Sequence, residues 1–155
     1  MSQDATSAGP VLAAVDFSSS SRAALVWAAE AARRFAVPLV VLHVVHDPEA
    51  APGSYSRAGE MQRMEDVAKQ MLDEFLAEVR GRHPEVGDPR SLLTVGLPAT
   101  RILEVAEREG AQLIVVGSQG RTGLAHFLLG SKAERVAQLA PIPVTIVKGP
   151  RGDES

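Results

Sequence analysis

Cysteine is absent from the 155-residue chain, which excludes disulfides, thiolate metal sites and thiol nucleophiles. An excess of positive charge is absent too. Sixteen Lys and Arg against nineteen Asp and Glu leave a net charge of −3. Sequence-independent nucleic-acid binding needs a basic surface to displace counterions, so nucleic acid is not expected as a partner. No apolar run approaches the roughly 18–20 residues that span a bilayer, so no membrane association is expected. The opening MSQDATSAGP has neither a basic n-region nor an apolar h-region, and therefore does not read as a secretory signal. The expected compartment is the cytoplasm. No internal repeat is visible. What remains is 45% apolar and 23% charged residues, an ordinary balance for one soluble domain with one core.

Five short runs rich in Val, Ile and Leu punctuate the chain: Val11–Val15, Pro38–Val45, Ser91–Val95, Gln112–Val116 and Pro143–Val147. They are nearly continuous rather than alternating, as strands buried on both faces of a parallel sheet are. Helical patterns fill the gaps. Between Ser18 and Phe35, Ala24, Ala28, Ala31 and Phe35 recur at three- and four-residue steps. From about Arg57 to Arg82, Met61, Met64, Ala68, Met71, Phe75 and Val79 form a longer stripe, read as core packing rather than as a soft recognition surface. Pro98 to Glu109 opens on a proline and stops at Gly110, and Ser131 to Leu139 stops before Pro141. Strict β-α alternation predicts an α/β fold: a single open parallel sheet of five strands with helices on both faces, doubly wound and Rossmann-like. Residues 1–10 and 149–155 are expected to be flexible ends around a domain of residues 11–148. Residues 47–59 hold Pro48, Pro52, Gly53 and Gly59 and are too long for a plain βα turn. They are either a mobile lid or a disordered connection.

Ligands of such folds bind outside the carboxyl ends of the strands, where the strand order reverses. The segment after the fourth run is the informative one. Two residues lie between Gly117 and Gly120, nine lie between Gly120 and Gly130, and Ser131 follows. Glycines admit close backbone approach, and turns and helix N-termini present N–H groups to anions. This favours a phosphate-bearing ligand. Ser131 and Glu134 can equally form a capping box, and the glycines can simply build a turn. Neither GxxxxGK[ST] nor GxGxxG is present, so this is not a Walker ATPase or a conventional dinucleotide site.

The stretch from Leu113 to Val136, with Ala140–Val147, Val11–Ser18 and Leu42-His-Val-Val, resembles the universal stress protein family over almost the whole chain. The resemblance implies strand order 3-2-1-4-5 and a homodimer formed through the last strand, Pro143–Val147. The complete G-x2-G-x9-G-[S/T] pattern is that of the family's ATP-binding subgroup. It implies an adenine nucleotide, ATP with or without Mg²⁺, bordered by Ala14, Val15 and Asp16. Val44 is then expected to meet the adenine through its backbone, with Val116 and Gly117 on the ribose side. Gly120, Gly130 and Ser131 are expected at the phosphates, with the amides of Lys132 and Ala133. Two positions depart from the usual pattern: Gln119 stands where many members carry His, and Lys132 replaces an apolar residue.

Asp16 reads either as a nucleotide or metal–phosphate ligand or as a helix cap, a role Ser18 can also take. His43 and His46 are poorly spaced for a metal, and no metal site or dedicated catalytic base is identified. Trp27 is expected in the core, and Lys132 is expected to point to solvent. The expected function is an ATP-binding stress-response regulator or sensor with a protein partner of unknown identity. A slow ATP hydrolase or phosphotransferase and a nucleotide-free dimeric interaction module are the alternatives.

Overall fold

A computed structural model describes residues 8–47, 58–119 and 129–150. Strand β1 (Val11–Ala14) leads into helix α1 (Ser19–Phe35), followed by β2 (Leu39–His46) and α2 (Ala58–Arg82). A short 3-10 turn, Pro84–Val86, precedes β3 (Arg90–Gly96) and α3 (Pro98–Glu109). Then come β4 (Leu113–Gly117), α4 (Ser131–Leu139) and β5 (Val144–Val147). All strand pairs are parallel, in the order β3-β2-β1-β4-β5. This is the expected fold and order, with element ends shifted by at most one residue.

The central strands are buried on both sides, which explains their unbroken apolar composition. Val11, Ala13, Val15, Val41 and Val115 pack with α1 and α2 on one face. Leu12, Leu42, Val44, Ile114 and Val116 pack with α3 and α4 on the other. Fully enclosed side chains such as Leu12, Ile102 and Ile114 each contribute about 1.5–3 kcal/mol by leaving water. Alanines dominate the buried face of α1 (Ala24, Ala28, Ala29, Ala31 and Ala32), so that helix can lie close to the sheet.

Leu25 is the large side chain that this face buries, and two expectations for the helix fail. Trp27 is 43% exposed rather than in the core, and Phe35 is 51% exposed rather than part of the buried stripe. The methionine stripe of α2 also divides. Ala68, Leu72, Phe75, Leu76 and Val79 enter the core, whereas Met64 and Met71 stand more than one-third exposed on an adjoining flank with Val67. A 25-residue helix lying on one edge of the sheet buries one flank and leaves the neighbouring one beside the open end of the strands.

Helix ends follow local chemistry. Arg33 and Arg34 occupy the last turn of α1, where cations complement the helix dipole. The chain then turns through Ala36 in the left-handed region (φ 60°), with its N–H on the carbonyls of Ala32 and Arg33. Helix α3 starts with Pro98 and closes on Gly110 (φ 66°), a conformation that glycine adopts without steric cost. Upstream of β1, the Gly9 and Pro10 carbonyls accept hydrogen bonds from Gln112. No helix among the described residues is long and apolar enough to cross a membrane.

Candidate functional site

Strand β1 is flanked by β2 and β4, and the chain leaves β1 and β4 toward opposite faces of the sheet. This is the switch point, and a cleft of about 1370 Å³ opens there. Ala14, Val15, Asp16, Val44, Gly117, Gly130, Ser131, Lys132 and Ala133 all line it. Val116 does not. Its side chain is fully buried against α3 and α4, one residue short of the strand's open end. Gly120 lies outside the described residues, as do positions 48–57 of the long connection after β2.

The turn after β1 is held by several contacts. The Val15 N–H donates to the Leu42 carbonyl at 2.9 Å, extending the β1–β2 ladder past the strand end. Phe17 then adopts φ 69°, a left-handed conformation that is uncommon for a bulky residue and is retained where surroundings enforce it. Its ring stacks on His43 at 4.3 Å between centroids and meets the edge of Phe75 at 5.4 Å. His43 is in turn 2.8 Å through Nδ1 from the Val15 carbonyl oxygen. These contacts fix the reversal that brings Asp16 to the cleft.

Asp16 Oδ1 accepts hydrogen bonds from the Ser18 N–H (3.1 Å) and the Ser18 hydroxyl. Its Oδ2 accepts one from Lys132 Nζ at 3.1 Å. Lys132 therefore does not point into solvent. It crosses the switch point, and each side chain of the pair is only about one-fifth exposed. Burial pushes the Asp16 carboxyl up, but the Lys132 charge and the hydrogen bonds from Ser18 and Lys132 outweigh it. The net result is a carboxyl held below its ordinary value.

Ser18 is the N-cap of α1, its side chain accepting from the Ser21 N–H. Ser20 is buried and donates to the Gln119 carbonyl at 2.6 Å, which ties the loop after β4 to the start of α1. Gly117 makes that contact possible. A Cβ there would stand 2.7 Å from the Ser20 carbonyl carbon and 2.8 Å from the Ser21 nitrogen, both immovable backbone. On the far side, the Ser118 N–H donates to the Val147 carbonyl, and the Gly130 N–H to the Ser118 carbonyl at 2.8 Å.

Helix α4 begins without the capping box that was one of the two readings of Ser131 and Glu134. Gly130 is its N-cap, extended at φ −64° and ψ 153°, and the Glu134 N–H donates to the Gly130 carbonyl. Ser131 is thus the first helical residue, one position too late to pair with Glu134 as a box. A glycine cap has no side chain to place over the first-turn amides, which belong to Ser131, Lys132 and Ala133. Those three residues face the cleft. The arrangement suits an anion at the helix end beside an apolar wall of Val44, Met64, Val67 and Met71. Sequence reasoning missed Val67 and Leu97 in this wall. The spacing of Met64, Val67 and Met71 was a readable signal for a second apolar flank on α2.

The fold is that of a doubly wound α/β domain with a cleft at its switch point. The universal stress protein family matches residues 8–148, and the chain belongs to it. A universal stress protein of Mycobacterium tuberculosis is 39% identical over 141 residues, covering 90% of this chain and 45% of that relative. The chain spans about half the length of the curated relatives it matches. Among solved structures, a universal stress protein in complex with cAMP aligns with a TM-score of 0.63 and 26% identity, over 92% of this chain and 98% of that one. A universal stress protein from Archaeoglobus fulgidus in complex with dAMP gives 0.58 and 26%, over 91% and 98%.

Proposed function

We propose that this domain binds an adenine nucleotide, ATP foremost, in the cleft at the β1–β4 switch point. The observation that carries the reading is the start of α4, whose glycine cap leaves three first-turn residues facing a cleft that also holds Asp16 and Val44. The relatives in complex with cAMP and dAMP support it. In this reading the phosphates lie at Gly130, Ser131, Lys132 and Ala133, and the complete glycine pattern includes Gly120. Adenine lies against Val44, and the ribose lies near Gly117.

Nucleotide occupancy then acts as a stress-response signal to a protein partner in the cytoplasm, through states that differ in nucleotide affinity. Strand β5 is a sheet edge of half-buried residues, and pairing it with the β5 of a second copy gives a homodimer with that edge covered.

The test is calorimetric titration of ATP into protein that has been unfolded and refolded to strip carried-over nucleotide. Saturable binding is expected, and Gly130→Val is expected to lose it while keeping the wild-type melting transition. An absence of binding by the stripped, folded wild type would sink the proposal. Sedimentation at micromolar concentration checks the dimer, and a purely monomeric species would remove that part of the reading.

A further inference from the structure

The Mg²⁺ that commonly accompanies ATP does not fit the residues at this end of the cleft. Magnesium takes near-octahedral oxygen coordination, with one or two carboxylates added to the phosphates and water. Asp16 is the carboxylate at the switch point among the described residues, and both of its oxygens already accept hydrogen bonds. Ser18 donates to Oδ1 through its N–H and its hydroxyl, and Lys132 donates to Oδ2 at 3.1 Å. A dication approaching Oδ2 meets an ammonium already in contact with it.

The position of Lys132 is also unusual for a lysine. It is the second residue of α4, in the first turn, where the helix dipole disfavours a cation and favours an anion. The side chain nevertheless stays there, about one-fifth exposed, rather than extending into water. It also lines the same cleft as Gly130 and Ser131. A partner anion offsets the unfavourable helix end, and the structure supplies one in Asp16.

We propose that Lys132 is a built-in counterion that replaces the divalent metal, so that this chain takes nucleotide phosphate metal-free. The inference rests on the nucleotide reading above and adds the ionic form of the ligand. An arriving phosphate meets a cation already positioned and partly dehydrated by Asp16, next to the first-turn amides of α4. No bond is made or broken. The ammonium is shared between carboxylate and phosphate.

The experiment compares ATP and adenosine binding by the stripped protein, in EDTA and in excess Mg²⁺, for wild type, Lys132→Met and Lys132→Arg. Wild-type affinity for ATP is expected to agree within about twofold between the two conditions. Lys132→Met should bind ATP about tenfold or more weakly in EDTA, the scale of a lost charge-assisted contact, and recover in Mg²⁺ because Asp16 is released. Lys132→Arg should retain binding in EDTA, and adenosine should bind all three proteins equally. A wild type that needs Mg²⁺ to hold ATP would overturn the proposal, as would Lys132→Met binding ATP in EDTA as tightly as wild type. In both cases ATP still binds, so the nucleotide reading survives. If neither ATP nor adenosine binds the folded wild type in either condition, the nucleotide reading itself is overturned and this inference with it.

Discussion

Two helices begin at the switch point, and they begin in opposite ways. At α1 the N-cap is Ser18, whose side chain accepts from the Ser21 N–H, and Ser20 and Ser21 pack directly against Gly117. Its first turn is filled by the protein itself. At α4 the N-cap is Gly130, which offers no side chain, and the first turn faces the cleft. Both helices carry the same backbone dipole. Which one is open to an anion is therefore decided by the cap residue and by what packs over the first turn.

The most damaging way to break this contrast is to force the closed end open. Gly117→Val places a branched side chain against the backbone of Ser20 and Ser21. Such overpacking costs about 1–3 kcal/mol, which lowers the melting temperature by roughly 2–12 °C in a chain of this size. A scanning-calorimetry trace that matches wild type would show that α1 does not seat on β4 as described. Closing the open end comes next. Gly130→Asp puts a carboxylate over the first turn of α4, and its extended backbone suits a side-chain cap. ATP affinity should fall about tenfold or more through like-charge repulsion, while the melting temperature moves by about a degree or less. Wild-type affinity in that variant would separate the phosphates from α4.

The smallest effect is expected from uncapping α1. Ser18→Ala removes the cap and the hydroxyl hydrogen bond to Asp16, while the backbone N–H bond stays, for about 1 kcal/mol, or roughly 2–4 °C. Part of that loss is pH-dependent, and its direction follows from the Asp16 carboxyl being held low in the folded state. The carboxylate's contribution is present above the unfolded value of about 3.9 and disappears as pH falls through the lower folded value. The gap between variant and wild type in chemical denaturation should narrow on acidification into that window. A gap that widens there would reverse the assigned role of Asp16.

Much of this arrangement was legible in the sequence, because it is local. Unbroken Val, Ile and Leu runs mark strands buried on both faces, and the proline and glycine around 98–110 bound α3. The glycine spacing after β4 pointed to the cleft residues Gly117, Gly130 and Ser131. What could not be read were properties that depend on neighbours distant in the chain. Trp27 occupies a position in a helical pattern, but which flank of α1 the sheet covers leaves it at the surface. Met64 and Met71 share a stripe with core residues, and only the breadth of the sheet under α2 decides which flank is buried. The capping box at Ser131 and Glu134 fails by one residue, because the Gly130 carbonyl receives the first helical bond.

Asp16 and Lys132 mark the same division most sharply. They are 116 positions apart, and from the sequence Asp16 read as a ligand or a helix cap and Lys132 as a solvent-facing charge, with nothing to link them. By itself the sequence determined the alternation, the five buried strands and the glycine pattern, because periodicity and backbone freedom are properties of neighbouring residues. Only the tertiary structure decided that β1 and β4 lie side by side with their following loops diverging. That adjacency puts a carboxylate from one strand end against an ammonium from the other, in a partly dehydrated site where the two hold each other.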